Sequence, residues 1–519
     1  MSHTRSRPGK RGRPRQERID QAEMAEADFL IVGSGSAGGP LAARLSENPS
    51  HSVLLLEAGA DLRCIEDLPA ELRQRGSSRG GRAISERDYL WMYEVALMRG
   101  GPASAQQIRG RILGGSTVIN GPNFVRGVPE NYNSWGSALW RFDHVLPYFI
   151  KLETDVDFHD ELHGSDGPVK IWRLPLAQRS PFNRAFCEAA VSMGFPEKPD
   201  LNRPDGEGVG PATRNDFGRR PTITALEYIE PARTRPNLTV RTAATVRRIV
   251  FDRKRAVGVE VMTAGQSTVL RAKEIILCAG AFASPQILLA SGVGPADQLR
   301  ALGIEVVQEL PGVGQNMRCN PSIKLRAGTG AEAVDEQAQK PQTFLIWSSR
   351  GPAERNDISF MPRQLGTQMF VQCQLRLPVS AGELRLRSAD SLAPPIISYR
   401  YLDTRDLAKL RDGVALMQEL FAQPALKRWG IEAAALDREQ LTDGWILANM
   451  HTPYHASGTC KLGPANDPMA VVDETCRVHG VDGLRVVDLS ITPLPVRAGP
   501  AATAIMIGER AADLMARRA

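Results

Sequence analysis

The sequence predicts an α/β protein in which a doubly wound, Rossmann-like domain is interrupted by an α+β domain that contains an antiparallel sheet. Residues 27–59 follow the pattern strand, glycine-rich turn, helix and strand, and residues 274–289 repeat the strand, turn and helix. Between residues 371 and 377 apolar and polar side chains alternate, which is the period of a strand with one wet face. A chain of 519 residues is also long enough for two or more domains.

The first strand and turn open the predicted fold. Phe29–Val32 is an apolar run that is too short for a helix and suits a buried strand, and a helix is expected over Pro40–Ser46. The turn between them has the spacing G-x-G-x-x-G. Its first glycine allows the tight turn, the second lets a pyrophosphate approach the backbone, and the third lets the helix pack on the strand. The turn consists of Gly33, Ser34, Gly35, Ser36, Ala37 and Gly38.

An acidic residue completes this pattern at the end of the second strand. Val53–Leu56 is apolar and is followed by Glu57, about 20 residues after the last glycine, where a carboxylate can accept hydrogen bonds from an adenosine ribose. The combination predicts dinucleotide binding, with a glycine turn in an unrelated α/β domain as the alternative. Because Ala58 and Gly59 follow Glu57, FAD is favoured over NAD.

The net charge of +6 is concentrated at the N-terminus. Residues 1–20 hold seven Arg or Lys and two acidic residues, so five of the six excess charges lie there. The rest of the chain is nearly neutral, which argues against a nucleic-acid groove. Residues 1–25 are expected to form a disordered basic tail, and without a hydrophobic segment this tail is not a secretory signal.

Hydropathy and cysteine usage set the expected compartment. No apolar run approaches the roughly 18 residues of a membrane helix, so stable membrane insertion is not expected. The seven cysteines include no C-x-x-C pair and their number is odd, which argues against a disulfide framework or a metal site. A cytoplasmic location is therefore expected.

A second glycine-rich loop and a helix come next along the chain. Gly114 and Gly115, followed by Ser116 and Thr117, direct successive amides and hydroxyls towards a ligand, as a phosphate- or flavin-binding loop does. A helix is predicted over Tyr132–Leu152, and its aromatic residues are assigned to the core.

Further strands are predicted in the second part of the Rossmann-like domain. Asn237–Val240 and Val246–Phe251 are interpreted as paired strands, and Ala256–Val261 as a third. Glu274–Cys278 is a buried strand that leads into a helix ending at residues 291–292.

The inserted domain is expected to carry a helix over Arg405–Phe421. The α/β pattern then returns, with a strand over Leu484–Val487 that ends at Asp488 and an amphipathic helix over Thr503–Met515. The predicted boundaries are 1–25 for the tail, 26–175, 236–321 and 451–519 for the FAD-binding domain, and 176–235 and 322–450 for the inserted substrate domain.

Ordered blocks of the sequence resemble the glucose–methanol–choline (GMC) family of FAD-dependent oxidoreductases from about Ala27 to the C-terminus. Besides the first glycine turn, the blocks are GRILGGSTVINGPNFVRGVPENYN from Gly110, GAFASPQILLASGVG from Gly280 and HASGTCKLG from His455. The resemblance implies an FAD domain built from discontinuous segments and a substrate domain whose sheet covers the flavin.

The resemblance also implies which residues contact FAD. Some members attach the flavin covalently through a histidine where this chain has Ile119, so noncovalent FAD is expected. The implied residues are Gly33, Gly35, Ser36, Ala37, Gly38, Glu57 and Ala58 at the ADP half; Gly114, Gly115, Ser116, Asn120, Gly121, Pro122, Asn123 and Phe124 along the pyrophosphate and flavin; Val246 at the adenine; Asp488 and Leu489 at the ribityl phosphate; and Gly499, Pro500 and Ala501 before the last helix.

His455 lies in the third block and is the expected catalytic base. Alcohol oxidation requires removal of the hydroxyl proton while a hydride leaves the carbon for flavin N5. An imidazole, with an ordinary pKa of about 6.5, suits that task. A lone histidine is more often structural, but the resemblance supports a catalytic role here. His451 is interpreted as a partly exposed residue and His479 as structural.

The sequence departs from the family pattern at the second catalytic position. The family has a His or Asn there, and alignment without gaps places Gly499 at that point. Glycine offers no side chain to the substrate oxygen. The weakly patterned stretch 328–341 also makes the inserted domain short for the family, which predicts an open flavin site.

These observations together predict oxidation of an alcohol CH–OH group. The substrate is expected to be a small alcohol or a reduced carrier, and the electron acceptor oxygen, a quinone or a redox carrier, with no nucleic-acid partner. The ending RAGPAATAIMIGERAAD resembles the branch associated with the redox cofactor mycofactocin. Two alternatives stay open, namely a lyase of the same fold that binds FAD without net oxidation and a flavin-bearing redox-partner protein.

Overall fold

The structure is a computed structural model that describes residues 26–73, 89–97, 104–328, 334–335, 340–433, 436–437 and 439–516. The predicted basic tail lies outside these residues, as does most of the stretch 328–341. Within the described chain no helix is long and apolar enough to cross a membrane.

A seven-stranded sheet forms the Rossmann-like part of the molecule. Its first strand, Ala27–Val32, lies between Val53–Leu56 and the end of Gln266–Leu277 and pairs with both in parallel. Leu30 and Ile31 are fully buried, as expected for a strand covered on both faces. The strand order is Thr245–Asp252, Arg255–Thr263, Gln266–Leu277, Ala27–Val32, Val53–Leu56 and Leu238–Arg241, and Leu484–Val486 pairs in parallel with Gln266–Leu277.

Two strands that were predicted to pair with each other lie apart in this sheet. The prediction for residues 237–240 and 246–251 is wrong, because Leu238–Arg241 pairs in parallel with Val53–Leu56, whereas Thr245–Asp252 pairs antiparallel with Arg255–Thr263. Both runs are short and apolar, and such runs do not specify the neighbour that receives their hydrogen bonds.

A six-stranded antiparallel sheet forms the second part, and one of its faces packs on the helix Thr404–Phe421. A Cβ atom at Gly413 of this helix would lie 2.5 Å from Sγ of Cys373, so the glycine permits close approach. The strand order is Met450–His451, Ser322–Ala327, Gln368–Leu375, Ile358–Leu365, Thr343–Trp347 and Gly208–Pro211.

The opposite face of the six-stranded sheet packs against other segments of the chain. Gln372 and Gln374 alternate with buried neighbours, as predicted, but they are half-buried, so the predicted wet face is wrong for this strand. The physical reason is that other segments pack on this face. A small apolar cluster joins the sheet to them: Phe344, Ile346, Met361, Val125, Leu201, Ala212, Val496 and Ala498.

Smaller sheets and helices complete the described chain. The smaller sheets comprise Glu383–Arg385, Ile396–Ser398, Leu90–Ala96 and Ser104–Gly110; Glu153–Asp155, Val169–Arg173 and Thr213–Arg214; and Val293–Gly294 and Gln308–Glu309. The α-helices are Gly38–Leu45, Ala70–Arg73, Pro129–Asn133, Phe142–Leu152, Pro181–Ser192, Glu230–Ala232, Gly280–Ala290, Ala296–Ala301, Thr404–Phe421, Pro424–Lys427, Asp443–Asn449 and Ala501–Ala516, and Ala225–Ile229 is a π-helix.

Two helices differ from the sequence prediction. The segment predicted as one helix over Tyr132–Leu152 is divided into Pro129–Asn133 and Phe142–Leu152, and the break contains Gly136 with a φ of 75°. The last helix is not amphipathic, because residues 502–512 are all buried. It packs against Gly38–Leu45 and Phe142–Leu152, which cover it on two sides.

The seven cysteines are all free thiols, and only Cys64 is exposed. Burial raises the pKa of the thiols of Cys278, Cys373 and Cys460 above the ordinary value. These thiols are therefore protonated at neutral pH.

Candidate cofactor and active site

Two positions of the first glycine turn leave no room for a side chain. Gly33 has a φ of 97°, and a Cβ there would lie 2.6 Å from the carbonyl oxygen of Cys278. A Cβ at Gly38 would lie 1.9 Å from the carbonyl oxygen of Gly33. The helix that begins at Gly38 has Ala37 as its N-cap, with no side-chain hydrogen bond to the first amides. The amide of Gly39 donates to the carbonyl of Gly35 at 3.1 Å and Pro40 has no N–H, so the amide of Gly38 is the one that this helix start offers to an anion.

Glu57 lies at the tip of its strand and is tied to the first turn. Oε2 accepts hydrogen bonds from the Ser34 hydroxyl at 2.5 Å and the Ser34 amide at 3.2 Å, and Oε1 accepts from the Gly59 amide at 2.9 Å. Burial raises the pKa of Glu57, while the hydrogen bonds from Ser34 and Gly59 oppose the rise. A carboxylate has about four acceptor positions, so a ribose hydroxyl can still bind.

The second glycine loop lies directly on the first turn. A Cβ at Gly115 would lie 2.8 Å from Cα of Gly35, and the amide of Gly114 donates to the hydroxyl of Ser34 at 3.1 Å. The structure thus brings together two of the predicted FAD-binding segments, which are about 80 residues apart in the chain.

Asp488 holds a third turn closed. Its Oδ2 accepts from the amide of Gly280 at 2.8 Å and the hydroxyl of Ser284 at 2.5 Å, and Oδ1 accepts from the amide of Ser490 at 2.7 Å. The next carbonyl, of Leu489, accepts from the amide of Gly458, three residues after His455. Asp488 and the predicted base therefore belong to connected segments.

The other predicted FAD-binding residues have varied surroundings. Val246 is buried in the strand Thr245–Asp252, and Phe124 is fully buried in the core. Asn123 is half-buried. Its Nδ2 lies 4.0 Å from Sδ of Met361, on the face of the six-stranded sheet that also carries Gln372 and Gln374. Ser36, Ala58, Ser116, Asn120, Leu489, Pro500 and Ala501 are half-buried, Gly121 is exposed and Pro122 is buried.

The residues present fit a dinucleotide with a flavin. A Cβ built at Gly35, Gly121 or Gly499 would meet nothing within 4 Å, so space is open at each of these backbones. The uncapped helix N-terminus suits a pyrophosphate and the Glu57 carboxylate a ribose.

His455 lies half-buried beside the six-stranded sheet with one ring nitrogen held. Its Nδ1 lies 3.1 Å from Oδ1 of Asn320 and 3.4 Å from Nε2 of Gln374. The Asn320 amide donates from Nδ2 to the carbonyls of Leu375 and Arg376, at 3.2 and 2.9 Å, so its Oδ1 must be the atom that faces the ring. Because Oδ1 of Asn320 can only accept and is the nearer partner, we assign the proton to Nδ1, which leaves a lone pair on Nε2. The donor Nε2 of Gln374, at 3.4 Å, then makes no hydrogen bond to the ring.

The surroundings of His455 favour the neutral ring. Burial disfavours the imidazolium, and the nearby cations Arg109 and Arg376 repel it, which lowers the pKa of His455 to about 3. The ring is therefore able to accept a proton at any physiological pH.

The other two histidines singled out by the sequence lie outside this arrangement. His451 is half-buried in the strand Met450–His451 opposite Ser322, and burial together with Lys324 lowers its pKa to about 4. His479 lies 3.0 Å from the carbonyl oxygen of Gly463 through Nε2. His451 is thus placed by strand pairing and His479 by a backbone carbonyl.

A buried ion network lies apart from the site and was not predicted. Glu153, Asp155 and His163 form a group whose ligand-type atoms lie within 4.8 Å of one another. Glu153 pairs with Arg126 and Asp155 with Arg173, so these carboxylates already have cationic partners. The surrounding carboxylates raise the pKa of His163 to about 10. The network is thus neutralised by side chains rather than by a metal ion.

Several site residues carry no sequence signal that would identify them. Gln374 lies in the strand Gln368–Leu375, Arg376 follows that strand, and Asn320 lies two residues before the strand Ser322–Ala327. All three are far from His455 in sequence and are brought near it by the antiparallel pairing of the two strands. Thr224, whose amide donates to the hydroxyl of Thr117, is likewise isolated in the sequence. The alternation around Gln374 is the only pattern that places any of these residues on a common face.

Comparison with known proteins identifies relatives over almost the entire chain. Residues 27–322 and 378–508 match the N- and C-terminal family models described as GMC oxidoreductase. An uncharacterized GMC-type oxidoreductase in the thcA 5′ region of Rhodococcus erythropolis is 40% identical over 500 residues, covering 95% of this chain and 99% of that protein. The oxygen-dependent choline dehydrogenase of Ectopseudomonas mendocina (strain ymp) is 38% identical over 542 residues, covering 94% of each.

Solved structures share the fold. Pyridoxine 4-oxidase from Mesorbium loti has a TM-score of 0.86 at 28% identity and covers 95% of this chain and 99% of its own. A fungal aryl-alcohol oxidase has a TM-score of 0.83 at 20% identity, covering 95% and 99% of the two chains.

The open space at Gly35 leads to the first prediction. In Gly35→Ala the added methyl group meets no protein atom but occupies space that a pyrophosphate needs, so we expect normal folding and FAD binding weakened by about tenfold or more. Gly444→Ala, whose Cβ would meet only the Thr442 hydroxyl at 3.7 Å, is the matched control. Flavin absorbance per protein and the thermal unfolding of the apoproteins provide the measurement. Wild-type FAD affinity in Gly35→Ala would contradict a pyrophosphate at this turn.

Proposed function

The chain belongs to the GMC oxidoreductase family, which is FAD-dependent, and we propose that it oxidises the CH–OH group of a small alcohol with His455 as the general base. The observation that carries this proposal is the fixed tautomer of His455. Asn320 accepts from Nδ1, and Nε2 is left as a proton acceptor. The names of relatives, among them a choline dehydrogenase and a pyridoxine oxidase, support an alcohol as substrate.

The proposed chemistry separates a proton from a hydride. The alcohol hydroxyl donates its proton to Nε2 of His455, the C–H bond breaks, and the carbonyl group forms from the remaining C–O bond. Bound FAD supplies the acceptor for the hydride and its two electrons. The neutral state of the imidazole, which burial and the neighbouring guanidinium groups favour, keeps the base ready for each turnover.

Asn320 acts as a positioning residue in this proposal. It does not reach the alcohol itself but fixes the ring through Nδ1, and its own amide is held by two backbone carbonyls. At the position of the family's second catalytic residue, Gly499 supplies no side chain, so the substrate oxygen relies on His455 and on groups elsewhere in the site.

Two finer points of the proposal concern FAD and the electron carrier. Ile119, where some family members have a flavin-linking histidine, supports noncovalent FAD. A reduced carrier as substrate, as the mycofactocin-associated branch would use, stays a prediction. The electron acceptor, whether oxygen, a quinone or a redox carrier, is likewise left open.

Removing the base tests the central role. In His455→Ala we expect the rate of anaerobic flavin reduction by an alcohol to fall by about 10² to 10⁴, because the hydroxyl proton then has no acceptor. FAD content should match that of wild type, and His451→Gln should reduce at the wild-type rate within about twofold. Unchanged reduction in His455→Ala would remove His455 from the mechanism, and product formation without flavin bleaching would favour the lyase alternative.

The pH dependence tests the state of His455 and the role of Asn320. Because the pKa of His455 is lowered to about 3, its base form is present above that value, and it should cause no loss of reduction rate down to about pH 5. In Asn320→Asp the new carboxylate raises the pKa of His455, so reduction should be lost as the pH falls through the raised value. Rapid-mixing measurements over about pH 5 to 9 check this. Asn320→Ala, which brings no charge, should lower the rate without an inflection, and the same profile in both variants would contradict the positioning role.

Acid precipitation tests the flavin linkage. If FAD is noncovalent, as Ile119 suggests, denaturation in acid should give a colourless pellet and release all the flavin to the supernatant. A yellow pellet after washing would contradict noncovalent binding.

A further inference from the structure

Arg376 lies near the predicted base, at the end of a strand of the six-stranded sheet. It follows the strand Gln368–Leu375 and comes two residues after Gln374, whose amide lies 3.4 Å from Nδ1 of His455. The Arg376 carbonyl accepts from Asn320, which also holds His455, and the Arg376 amide donates to the Asp357 carbonyl at 2.6 Å. Its backbone is therefore fixed beside the base.

The guanidinium of Arg376 is buried without a counter-ion. The residue is 3% exposed, yet its side chain makes no hydrogen bond or ion pair with any residue of the described chain. Arg173 is buried to a similar extent and pairs with the carboxylates of Asp155 and Asp200. A buried charge without a partner is costly, and proteins rarely retain one without use. Burial and the nearby Arg497 lower the pKa of Arg376 to about 9.

The surroundings of Arg376 add positive charge rather than remove it. Arg497, whose charge acts on Arg376, is also buried; one nitrogen donates to the carbonyl of Arg355 at 2.8 Å, and Nε has no partner. The carboxylates of Glu130, Glu354 and Asp357 act on Arg497 from nearby. The nearby carboxylate of Asp357 is engaged by Ser349 and Lys409. Two residues after Arg497, the space at Gly499 is open. Glu130 is paired with Arg355, and Glu354 and Asp357 with Lys409, so these carboxylates leave the charges of Arg376 and Arg497 available to an anion.

We propose that Arg376, supported by Arg497, binds a carboxylate group of the substrate, which makes the substrate class a small hydroxy acid. The inference rests on the proposed function, since the alcohol carbon must lie at the flavin while the carboxylate lies at Arg376. A guanidinium presents two parallel N–H groups that match a carboxylate. The space left by the glycine at 499 accommodates the chain between the two groups.

The same charges disfavour a cationic alcohol. Arg109 and Arg376 both repel positive charge at His455, and a quaternary ammonium would meet the same repulsion. Although curated relatives are named choline dehydrogenases, choline is therefore expected to be a poor substrate for this chain.

A bound carboxylate would also improve the base. The positive charge of Arg376 is one cause of the lowered pKa of His455, and an anion bound to that guanidinium offsets it. The pKa of His455 then rises towards the range in which a general base works best. Substrate binding and base strength are coupled through one side chain.

The test compares two alcohols of matched shape on the holoenzyme. Anaerobic flavin reduction is measured with 4-(hydroxymethyl)benzoate, with the neutral 4-methylbenzyl alcohol and with choline, in wild type, Arg376→Gln and the control Arg326→Gln, whose residue is exposed on the same sheet. In wild type and Arg326→Gln we expect the acid to be at least about tenfold more efficient than the neutral alcohol, and choline to be the poorest. In Arg376→Gln the acid should lose about ten- to a hundredfold through a higher half-saturation concentration, while the neutral alcohol should not be oxidised more slowly, because loss of the charge can only raise the pKa of His455.

A binding measurement separates this inference from the proposed function. Benzoate, which cannot be oxidised, should perturb the flavin spectrum of wild type and bind at least about tenfold more weakly to Arg376→Gln. If neither alcohol reduces the flavin but benzoate binds in this way, the carboxylate site stands and the proposed oxidation falls. Equal benzoate affinity in the two proteins, a preference of wild type for the neutral alcohol, or loss of FAD from Arg376→Gln would overturn the inference, the last because Arg376 would then serve the cofactor.

Discussion

The hydroxyl group of Ser34 joins the three segments from which the nucleotide end of the site is built. It donates to Glu57 at the tip of the second strand and accepts from the amide of Gly114 in the second glycine loop. Because Ser34 itself lies within the first glycine turn, these two bonds fix the turn, the acid and the loop relative to one another. The contact of Gly115 with Gly35 then leaves no room for a side chain between the loops.

The reacting end depends on a second constraint, which comes from the other sheet. His455 is in a loop near Asp488, but the residues that contact its Nδ1 come from elsewhere: Gln374 lies in the six-stranded sheet, and Asn320 lies two residues before the strand Ser322–Ala327. The base is therefore assembled only when the two sheets are in place. The apolar cluster that contains Val125, Met361 and Val496 packs the six-stranded sheet against other segments of the chain. A substitution in that cluster would disturb the base without touching it.

Sequence reasoning succeeded where local chemistry determines structure. The strand Val53–Leu56 has the bounds that its apolar run predicts, and the turn at Gly33 has the positive φ that its glycine permits. Sequence reasoning failed where pairing or burial depends on segments that are distant in the sequence. The pairing of Leu238–Arg241 depends on a partner almost 200 residues away, and the half-buried state of Gln374 depends on what packs over the sheet. Asn320 and Arg376 were missed for the same reason, since single polar residues on different strands form no linear motif.

The buried thiols have a consequence for oxidative damage. If the electrons pass to oxygen, hydrogen peroxide is released inside the protein, and peroxide attacks the thiolate rather than the thiol. Cys278 packs against the first glycine turn, where its backbone would meet any side chain placed at Gly33. Because burial keeps Cys278, Cys373 and Cys460 protonated, these residues resist sulfenic acid formation. If oxygen is the acceptor, these protonated thiols therefore withstand the peroxide that forms beside them.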